Sequence, residues 1–195
     1  MIKKPILIKK KKHVDKRGYF QEIYLYREFK INILFTAKAY SKKNVIRGLH
    51  FQTKDKQTKL IHVVKGKILD VVVNLKKSSK GFGKVYKYIL NEGDTLIVPN
   101  TFAHGYECLS KNCTVFYHLD KYRNIKGENG ILYNDKDLKI KWKSKKPIIS
   151  KRDRLTFSFA EFKKKILNYK PNISYKNLIT IFYVFWSKYI YSKFF

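Results

Sequence analysis

The chain has 195 residues, of which 44 are Lys or Arg and 14 are Asp or Glu, so its formal net charge is +30 at pH 7. This length suits one domain, or one domain with an appendage, that buries a substantial core. The hydrophobic share of 44%, with 15 Tyr and 14 Phe, excludes a disordered polycation, and the few Gly and Pro residues exclude a collagen-like chain.

The high charge has two possible origins. A polyanion partner, such as nucleic acid or an anionic membrane surface, would explain a strongly basic protein. A general compositional bias would also explain it, and the lysines are scattered along the whole sequence, in stretches such as Lys9–Lys12, Lys76–Lys80 and Lys163–Lys165. Nucleic-acid surfaces concentrate their charge and use Arg to recognise bases. The dispersal therefore favours the compositional explanation, and we expect no nucleic-acid partner.

The chain opens with a short strand-like run at Met1–Ile8, which a basic cluster follows. This segment lacks the apolar core and the cleavage site of a secretory signal. No stretch before the C-terminal region approaches the uninterrupted apolar length of a membrane span. Two cysteines, Cys108 and Cys113, are too few for a disulfide framework and suit a reducing compartment. We therefore expect a cytoplasmic location.

The centre of the chain predicts β-structure. Runs rich in β-branched residues alternate with short turns that contain Gly, Asn or Pro, at nearly regular spacing. The predicted strands are Lys59–Val64, Ile68–Leu75, Val85–Leu90, Thr95–Val98, Ala103–Leu109 and Thr114–Leu119. Short strands at this spacing indicate an all-β sandwich or barrel.

The sequence changes character towards its C-terminus. Helical patterning is confined mostly to Glu161–Leu167 and the last 20 residues, so we expect a domain over residues 1–160 and an extension over 161–195. The aromatic run Leu178–Trp186 is short and is soon followed by Lys188, which argues against a membrane span. Interfacial membrane contact is one interpretation of this tail. Packing on the barrel or on a partner subunit is the favoured one.

Two patches place a histidine in the β region. His50 lies in Arg47–Gln52 and His104 lies in Phe102–Gly105. We expect each histidine to stand beside a tight turn, where a barrel presents polar groups at its mouth.

These patches do not form a metal site of the cupin type. Such a site needs a His-x-His pair, an acidic ligand a few residues later and a distant third histidine. Here His50 is followed by Phe and Gln, and Lys59 stands near the position of the expected acid. The sequence therefore predicts a barrel without a metal.

Without a metal, three side-chain types suit chemistry beside a carbonyl. An imidazole ordinarily titrates near pH ~6.5, which suits a general base at neutral pH. A lysine ammonium stabilises the negative charge of an enolate oxygen, and a tyrosine hydroxyl returns a proton to the opposite face. His50, Lys59 and Tyr117 provide this combination, although each alone is more often a structural residue.

Six motifs occur in one order along the chain and carry a resemblance to a known family. They are Arg17–Glu22 (RGYFQE), Arg47–Gln52 (RGLHFQ), Lys59–Leu60, Val98–Pro99 followed by Phe102–Gly105 (FAHG), Tyr117, and Ile131–Asp135 (ILYND). The series resembles the dTDP-4-dehydrorhamnose 3,5-epimerase family of dTDP-L-rhamnose biosynthesis, over roughly Gly18 to Asp153. The resemblance implies a double-stranded β-helix, which is a cupin-like jelly roll, with a short C-terminal helical and aromatic extension. It also implies a homodimer that needs no cofactor.

The resemblance further implies roles for individual residues. His50 is expected to remove protons at C3 and C5 of the sugar, Lys59 to stabilise the enolate oxygen, and Tyr117 to act as the acid on the other face. Asp153 is expected to orient the histidine, which fixes its tautomer. The residues implied to contact the nucleotide-sugar are Arg17, Tyr19, Glu22, Arg47, Lys59, His104, Glu128 and Arg152.

The sequence departs from the family pattern at several positions. Phe35-Thr36-Ala37 stands where the family often has a Gln-x-Asn segment, and Arg152 stands where it has Lys. The expected activity is epimerisation of dTDP-4-dehydro-6-deoxy-D-glucose at C3 and C5 for surface-polysaccharide synthesis. The alternatives are an enzyme that inverts C3 alone, an epimerase of another nucleotide-4-keto-sugar, and a non-catalytic barrel that binds a sugar or a polyanion.

Overall fold

The computed structural model describes residues 2–168, and the chain up to Phe162 forms one compact unit. Twelve strands and three α-helices follow one another along this part of the chain, with a short 3-10 helix at Ile125–Gly127 before the last strand. The elements in order are β1 (Ile6–Ile8), β2 (Lys12–Asp15), β3 (Gly18–Gln21), α1 (Tyr26–Phe29), β4 (Phe35–Lys42), β5 (Ile46–Gln52), β6 (Lys59–Lys65), β7 (Lys67–Asn74), β8 (Val85–Asn91), β9 (Thr95–Val98), β10 (Phe102–Cys108), β11 (Asn112–Leu119), β12 (Glu128–Gly130), α2 (Lys151–Arg154) and α3 (Phe159–Asn168).

The strands form two five-stranded antiparallel sheets and a separate hairpin. One sheet has the order β1-β9-β6-β11-β4 and the other has the order β12-β5-β10-β7-β8, while β2 pairs with β3 alone. Apart from β7 and β8, neighbouring strands in the two sheets are not consecutive in sequence, so the chain crosses repeatedly between the sheets. This architecture is the all-β sandwich that the strand pattern predicted, in the jelly-roll form that the resemblance implied.

The main core lies on the inner faces of the two sheets. Its buried members are Ile61, Val63, Ile68, Val72, Leu90, Leu96, Val98, Phe102, Tyr106, Cys108, Cys113 and Val115. Alternate residues of a strand share a face, which explains why Ile61 and Val63 of β6 are in this cluster together. A smaller apolar cluster, built on Ile8 and Leu60, packs beside α1.

Both cysteines are free thiols inside the main core. Burial, together with the neighbouring thiol of Cys108, raises the pKa of Cys113 above its ordinary value. The thiols therefore act as small apolar side chains, which fits the expectation from their number.

The strand predictions were largely confirmed, and the main differences lie at the N-terminal side. All six predicted central strands are present within one or two residues. The predicted run Met1–Ile8 contracts to the strand Ile6–Ile8, and the patterning at Glu161–Leu167 falls inside α3. β4 was not predicted, because its sequence FTAKAYSK has few β-branched residues and one mostly exposed face.

The expectations for the tail concern residues that the structure does not describe. The aromatic run Leu178–Trp186 and the choice between membrane contact and packing lie outside residues 2–168. Among the described helices, none combines the length and the apolar character that crossing a bilayer requires.

Candidate active site

The two histidines singled out by sequence lie side by side on adjacent strands. β5 and β10 pair antiparallel, and His50 is directly opposite His104. Both residues are inside strands, so the expectation that each stands beside a tight turn was wrong. The pairing is irregular between His104 and Tyr106, and Gly48 and Gly105 pack there so closely that a Cβ on Gly48 would lie 2.5 Å from the Cα of Gly105.

His50 forms a dyad with Asp153, a residue from the other end of the chain. The Nε2 atom of His50 lies 2.7 Å from Oδ1 of Asp153, while Oδ2 accepts a hydrogen bond of 3.2 Å from the backbone N–H of Gly48. Ser150 caps α2, because its Oγ accepts from the N–H of Asp153. The carboxylate is therefore fixed by the helix start, and it holds the imidazole with Nε2 protonated and Nδ1 free to accept a proton.

The environment of Asp153 favours its ionised form. Burial by itself would raise the pKa of Asp153, but the hydrogen bond and charge of His50 and the amide of Gly48 outweigh it, so the pKa lies below its ordinary value. A carboxylate that stays ionised stabilises the imidazolium that forms when the histidine takes up a proton.

Lys59 lies buried at the start of β6, with only 8% of its surface exposed. Its Nζ donates a hydrogen bond of 3.3 Å to the backbone carbonyl of His50. Burial lowers the pKa of Lys59 to about 8, although the carboxylates of Glu128 and Asp70 act in the opposite direction. Its ammonium is thus a poorly solvated positive charge beside the histidine, and such a charge interacts strongly with a developing oxyanion.

Tyr117 reaches the same region from β11 and is partly buried. Its ring meets the imidazole of His104 edge-on, with 5.9 Å between the ring centroids. Burial raises the pKa of Tyr117 well above its ordinary value, and the nearby Tyr106 and Asp70 add to the effect. Tyr117 is therefore protonated at neutral pH and available as a proton donor.

A second His–Asp dyad lies next to the first, and its aspartate is absent from the sequence motifs. Nε2 of His104 is 2.8 Å from Oδ2 of Asp70, and both side chains are almost completely buried. Asp70 belongs to β7, where its same-face neighbours Ile68 and Val72 are in the apolar core. One signal was available in the sequence, since an aspartate in a run of buried β-branched residues is unusual and needs a partner.

Charged residues surround the rim of this region. Glu128 binds Arg123 at 2.7 Å and Arg152 at 3.1 Å. Burial alone would raise the pKa of Glu128, but these two guanidinium groups lower it overall. Arg47 donates to Oγ of Ser41 and to a backbone carbonyl on β4. Arginines held in this way suit a diphosphate, because their planar donors bind two oxygens at once.

Three predicted substrate-binding residues do not join this cluster. Arg17, Tyr19 and Glu22 lie in or just after the β2–β3 hairpin, and Arg17 forms an ion pair with Asp15 on the same exposed turn. Within residues 2–168 of a single chain, the site consists of residues contributed by β5, β6, β7, β10, β11, β12 and α2.

The clustered residues match the requirements of a proton transfer beside a carbonyl. His50 is a base with an oriented ring, Lys59 is a cation beside it, and Tyr117 is a protonated acid. No three His, Cys, Asp or Glu side chains converge on a possible metal position in residues 2–168.

Comparisons with known proteins agree with this chemistry. The family model described as dTDP-4-dehydrorhamnose 3,5-epimerase matches residues 1–161. The enzyme of that name from Methanothermobacter thermautotrophicus is 33% identical over 159 residues, which are 76% of this chain and 86% of the relative.

Solved structures show the same similarity. The dTDP-4-dehydrorhamnose 3,5-epimerase of Bacillus anthracis, with TDP and PPi bound, is 37% identical with a TM-score of 0.76, over 79% of this chain and 93% of that one. The epimerase of Legionella pneumophila, in complex with dTDP-4-keto-L-rhamnose, is 29% identical with a TM-score of 0.77, over 80% of this chain and 88% of that one.

Proposed function

Because the chain belongs to the dTDP-4-dehydrorhamnose 3,5-epimerase family, as its match over residues 1–161 shows, we propose that it acts on dTDP-4-dehydro-6-deoxy-D-glucose. It inverts C3 and C5 and yields dTDP-4-dehydro-L-rhamnose, the precursor of dTDP-L-rhamnose for surface polysaccharides such as lipopolysaccharide. This reaction takes place in the cytoplasm and needs no cofactor. The domain responsible covers residues 1–160, and residues 161–195 are an extension.

Each inversion follows the same sequence of proton movements. Nδ1 of His50 removes the proton at C3 or C5, and the electron pair of the broken C–H bond moves to the C4 carbonyl, which becomes an enolate. The ammonium of Lys59 stabilises the enolate oxygen. The hydroxyl of Tyr117 then protonates the same carbon from the opposite face, and exchange with water restores the proton of Tyr117 and the free base of His50.

The observation that carries this proposal is the contact set around His50. Its ring is held by Asp153 at 2.7 Å, and its backbone carbonyl is held by the ammonium of Lys59 at 3.3 Å. A base with a fixed tautomer beside a desolvated cation is what removal of a proton α to a carbonyl requires. A barrel that only binds sugars or polyanions has no use for such a pair.

Substrate binding involves the charged rim. Arg47 and Arg152 bind the diphosphate, Glu128 keeps Arg152 in place, and His104 contacts the sugar. This assignment is supported by the ion pair between Glu128 and Arg152 and by the hydrogen bonds that hold Arg47.

The β2–β3 hairpin belongs to the site of a second copy in a homodimer. Its Tyr19 and Phe20 are 52% and 69% exposed, and Val14 is 75% exposed. Apolar side chains at such exposure favour burial against another surface. A dimer places Arg17, Tyr19 and Glu22 of one subunit at the nucleotide-sugar of the other, and sedimentation equilibrium measures the mass that this requires.

A related reaction on a different nucleotide-sugar is the second candidate. Phe35 and Ala37 replace the polar segment that the family often carries, and they lie on the same face of β4 as Ser41, the partner of Arg47. An apolar wall near the nucleotide alters the selection of the base more than it alters the proton chemistry.

The decisive experiment follows deuterium during turnover. The full chain is incubated with dTDP-4-dehydro-6-deoxy-D-glucose in deuterated water, and NMR records the label at each sugar carbon. We expect label at both C3 and C5 with the L-rhamno product, and no label with the His50→Ala variant. Label at C3 alone selects the single-inversion enzyme. Absence of label from a folded sample that binds dTDP contradicts the proposed substrate.

A further inference from the structure

Asp70 is a fully buried carboxylate in the middle of an apolar strand. It lies opposite Tyr106 on β10 and Tyr88 on β8, and none of its surface is exposed. Oδ2 is bound to His104, whereas Oδ1 has no hydrogen-bond partner in residues 2–168. Burying a carboxylate is costly even when one of its oxygens is paired. A purely structural role is therefore a poor explanation, because Ile68 and Val72 fill the same face without that cost.

We propose that Asp70 is a positioning residue for the epimerisation, in which it fixes the tautomer of His104, the residue directly opposite His50. As a second part of this role, its charge acts on Lys59. This inference rests on the proposed function, because it assigns Asp70 to the same site and the same proton transfer.

The first part of the role follows from the geometry of the second dyad. An ionised carboxylate accepts hydrogen bonds but cannot donate one, so the Nε2 of His104 that contacts it carries the proton. Nδ1 of His104 is then left without a proton and accepts a hydrogen bond from a hydroxyl. The substrate of the proposed reaction carries such hydroxyls on its sugar ring.

The second part follows from the charges that surround Lys59. Glu128 on β12 and Asp70 on β7 are the carboxylates that favour its charged form. The side chain of Glu128 is already shared by two guanidinium groups, those of Arg123 and Arg152. The other titratable and charged groups around this site are Arg47, His50, Tyr88, His104, Tyr106, Tyr117 and Asp153. The tyrosines are neutral, and Asp153 is bound to His50. Of the two carboxylates that act on Lys59, Asp70 is therefore the one that is not paired with an arginine.

The test compares Asp70→Asn with Asp135→Asn. Asp135 is also a buried aspartate, with 6% of its surface exposed, but it accepts hydrogen bonds from the backbone of residues 137, 138 and 159. It therefore controls for the loss of any buried carboxylate. Long-range ¹H–¹⁵N NMR reports the tautomer of His104, and the side-chain resonances of Lys59 report its titration, both without substrate.

We expect His104 of the unmodified protein to be protonated at Nε2, and Asp70→Asn to shift a substantial fraction to Nδ1. The pKa of Lys59, which burial lowers to about 8, should fall by a further ~0.5–1 pH unit in Asp70→Asn, since removal of a nearby opposite charge disfavours the ammonium. Both readouts should be unchanged in Asp135→Asn.

Turnover provides an independent readout. Because protonated Lys59 is the active form, kcat/KM declines at alkaline pH, and this decline should begin at a lower pH in Asp70→Asn. KM should rise as well, because the Nδ1-protonated form of His104 no longer accepts the hydrogen bond of a sugar hydroxyl. An Asp70→Asn variant whose His104 keeps the tautomer of the unmodified protein overturns the proposal. If this variant does not fold, an Nδ1-protonated His104 in the unmodified protein overturns it as well.

The two proposals fail in distinguishable ways. If the unmodified protein does not epimerise the dTDP-sugar, the proposed function fails while the NMR tautomer and titration still decide the role of Asp70.

Discussion

The apolar core and the candidate active site share four strands. β6 contributes Ile61 and Val63 to the core and Lys59 to the pocket, and β11 contributes Val115 to the core and Tyr117 to the pocket. β7 and β10 are divided in the same way between core residues and the Asp70–His104 pair. The backbone geometry is common to both regions, so they differ only in the chemistry of individual inward-facing residues.

The difference shows how stability and activity are distributed inside the barrel. Core positions lose water from apolar surface, which stabilises the fold by ~25 cal/mol for each Å². Pocket positions bury ionisable groups, and the lowered pKa of Lys59 shows that the folded protein disfavours its charge. The apolar core residues two positions away on the same strands therefore offset the cost of burying these ionisable groups.

The largest expected effect comes from converting a pocket position into a core position. Lys59→Met should lower kcat/KM by about 10³-fold or more, since the enolate loses its cation. The same change should increase the free energy of unfolding by up to about 3 kcal/mol, because the fall in the pKa of Lys59 from its ordinary value of 10.5 to about 8 in the folded protein is a cost of burying the charge.

The pH dependence of the stability gained by Lys59→Met tests whether the gain comes from removing a buried charge. Burial disfavours the protonated lysine in the folded state only, so the full penalty applies below pH 8 and disappears as the pH rises towards 10.5. Denaturant unfolding of both proteins should show the full gain at pH 7 and only about 1 kcal/mol of it at pH 10. A Lys59→Met protein that is less stable than the unmodified one at pH 7 would contradict this account.

The second prediction concerns a core position on the same strand, two residues after Lys59. Ile61→Ala should reduce the free energy of unfolding by about 2–5 kcal/mol, because it leaves a cavity in the main core. The kcat of the fraction that remains folded should change by less than about threefold, since the residue carries no group used in the proton transfer. Urea unfolding and steady-state kinetics on one preparation measure both quantities, and a large loss of kcat would show that the two regions are not separable.

The smallest expected change in structure comes from Tyr117→Phe. The ring and its edge-on contact with His104 are retained, so the melting temperature should move by no more than about 4 °C, the shift of a ~1 kcal/mol change. Turnover should fall by about 10²-fold or more, because the acid on the second face is missing. Deuterium exchange into the substrate should persist without inversion, as removal of the proton by His50 does not need the tyrosine. Loss of exchange as well as inversion would show that Tyr117 acts before the enolate forms.

The sequence predicted more of the strands in the centre of the barrel than of those at its edges. Strands such as β7 and β9 are rich in β-branched residues, and burial on both faces favours that composition. β4 and the β2–β3 hairpin are largely exposed, so tertiary pairing rather than composition makes them strands. The separate helix α2 has only four residues, too few for a periodic pattern.

The candidate site was predictable where a motif names the residue. His50, Lys59 and Tyr117 stand in motifs and the family resemblance implied Asp153, and the structure brings the four into one connected region. Asp70 was missed because its partner His104 is 34 residues away and no local pattern connects them.

The two core thiols can be used to measure how often this barrel opens. Cys108 and Cys113 have no exposed surface in the folded protein, and thiolates rather than thiols react with alkylating reagents. A modifying reagent therefore reacts with them only in molecules whose two sheets have separated. The rate of alkylation reports how often the folded chain opens, without any introduced label, and binding of a ligand to the closed barrel slows that rate in proportion to the affinity of the ligand.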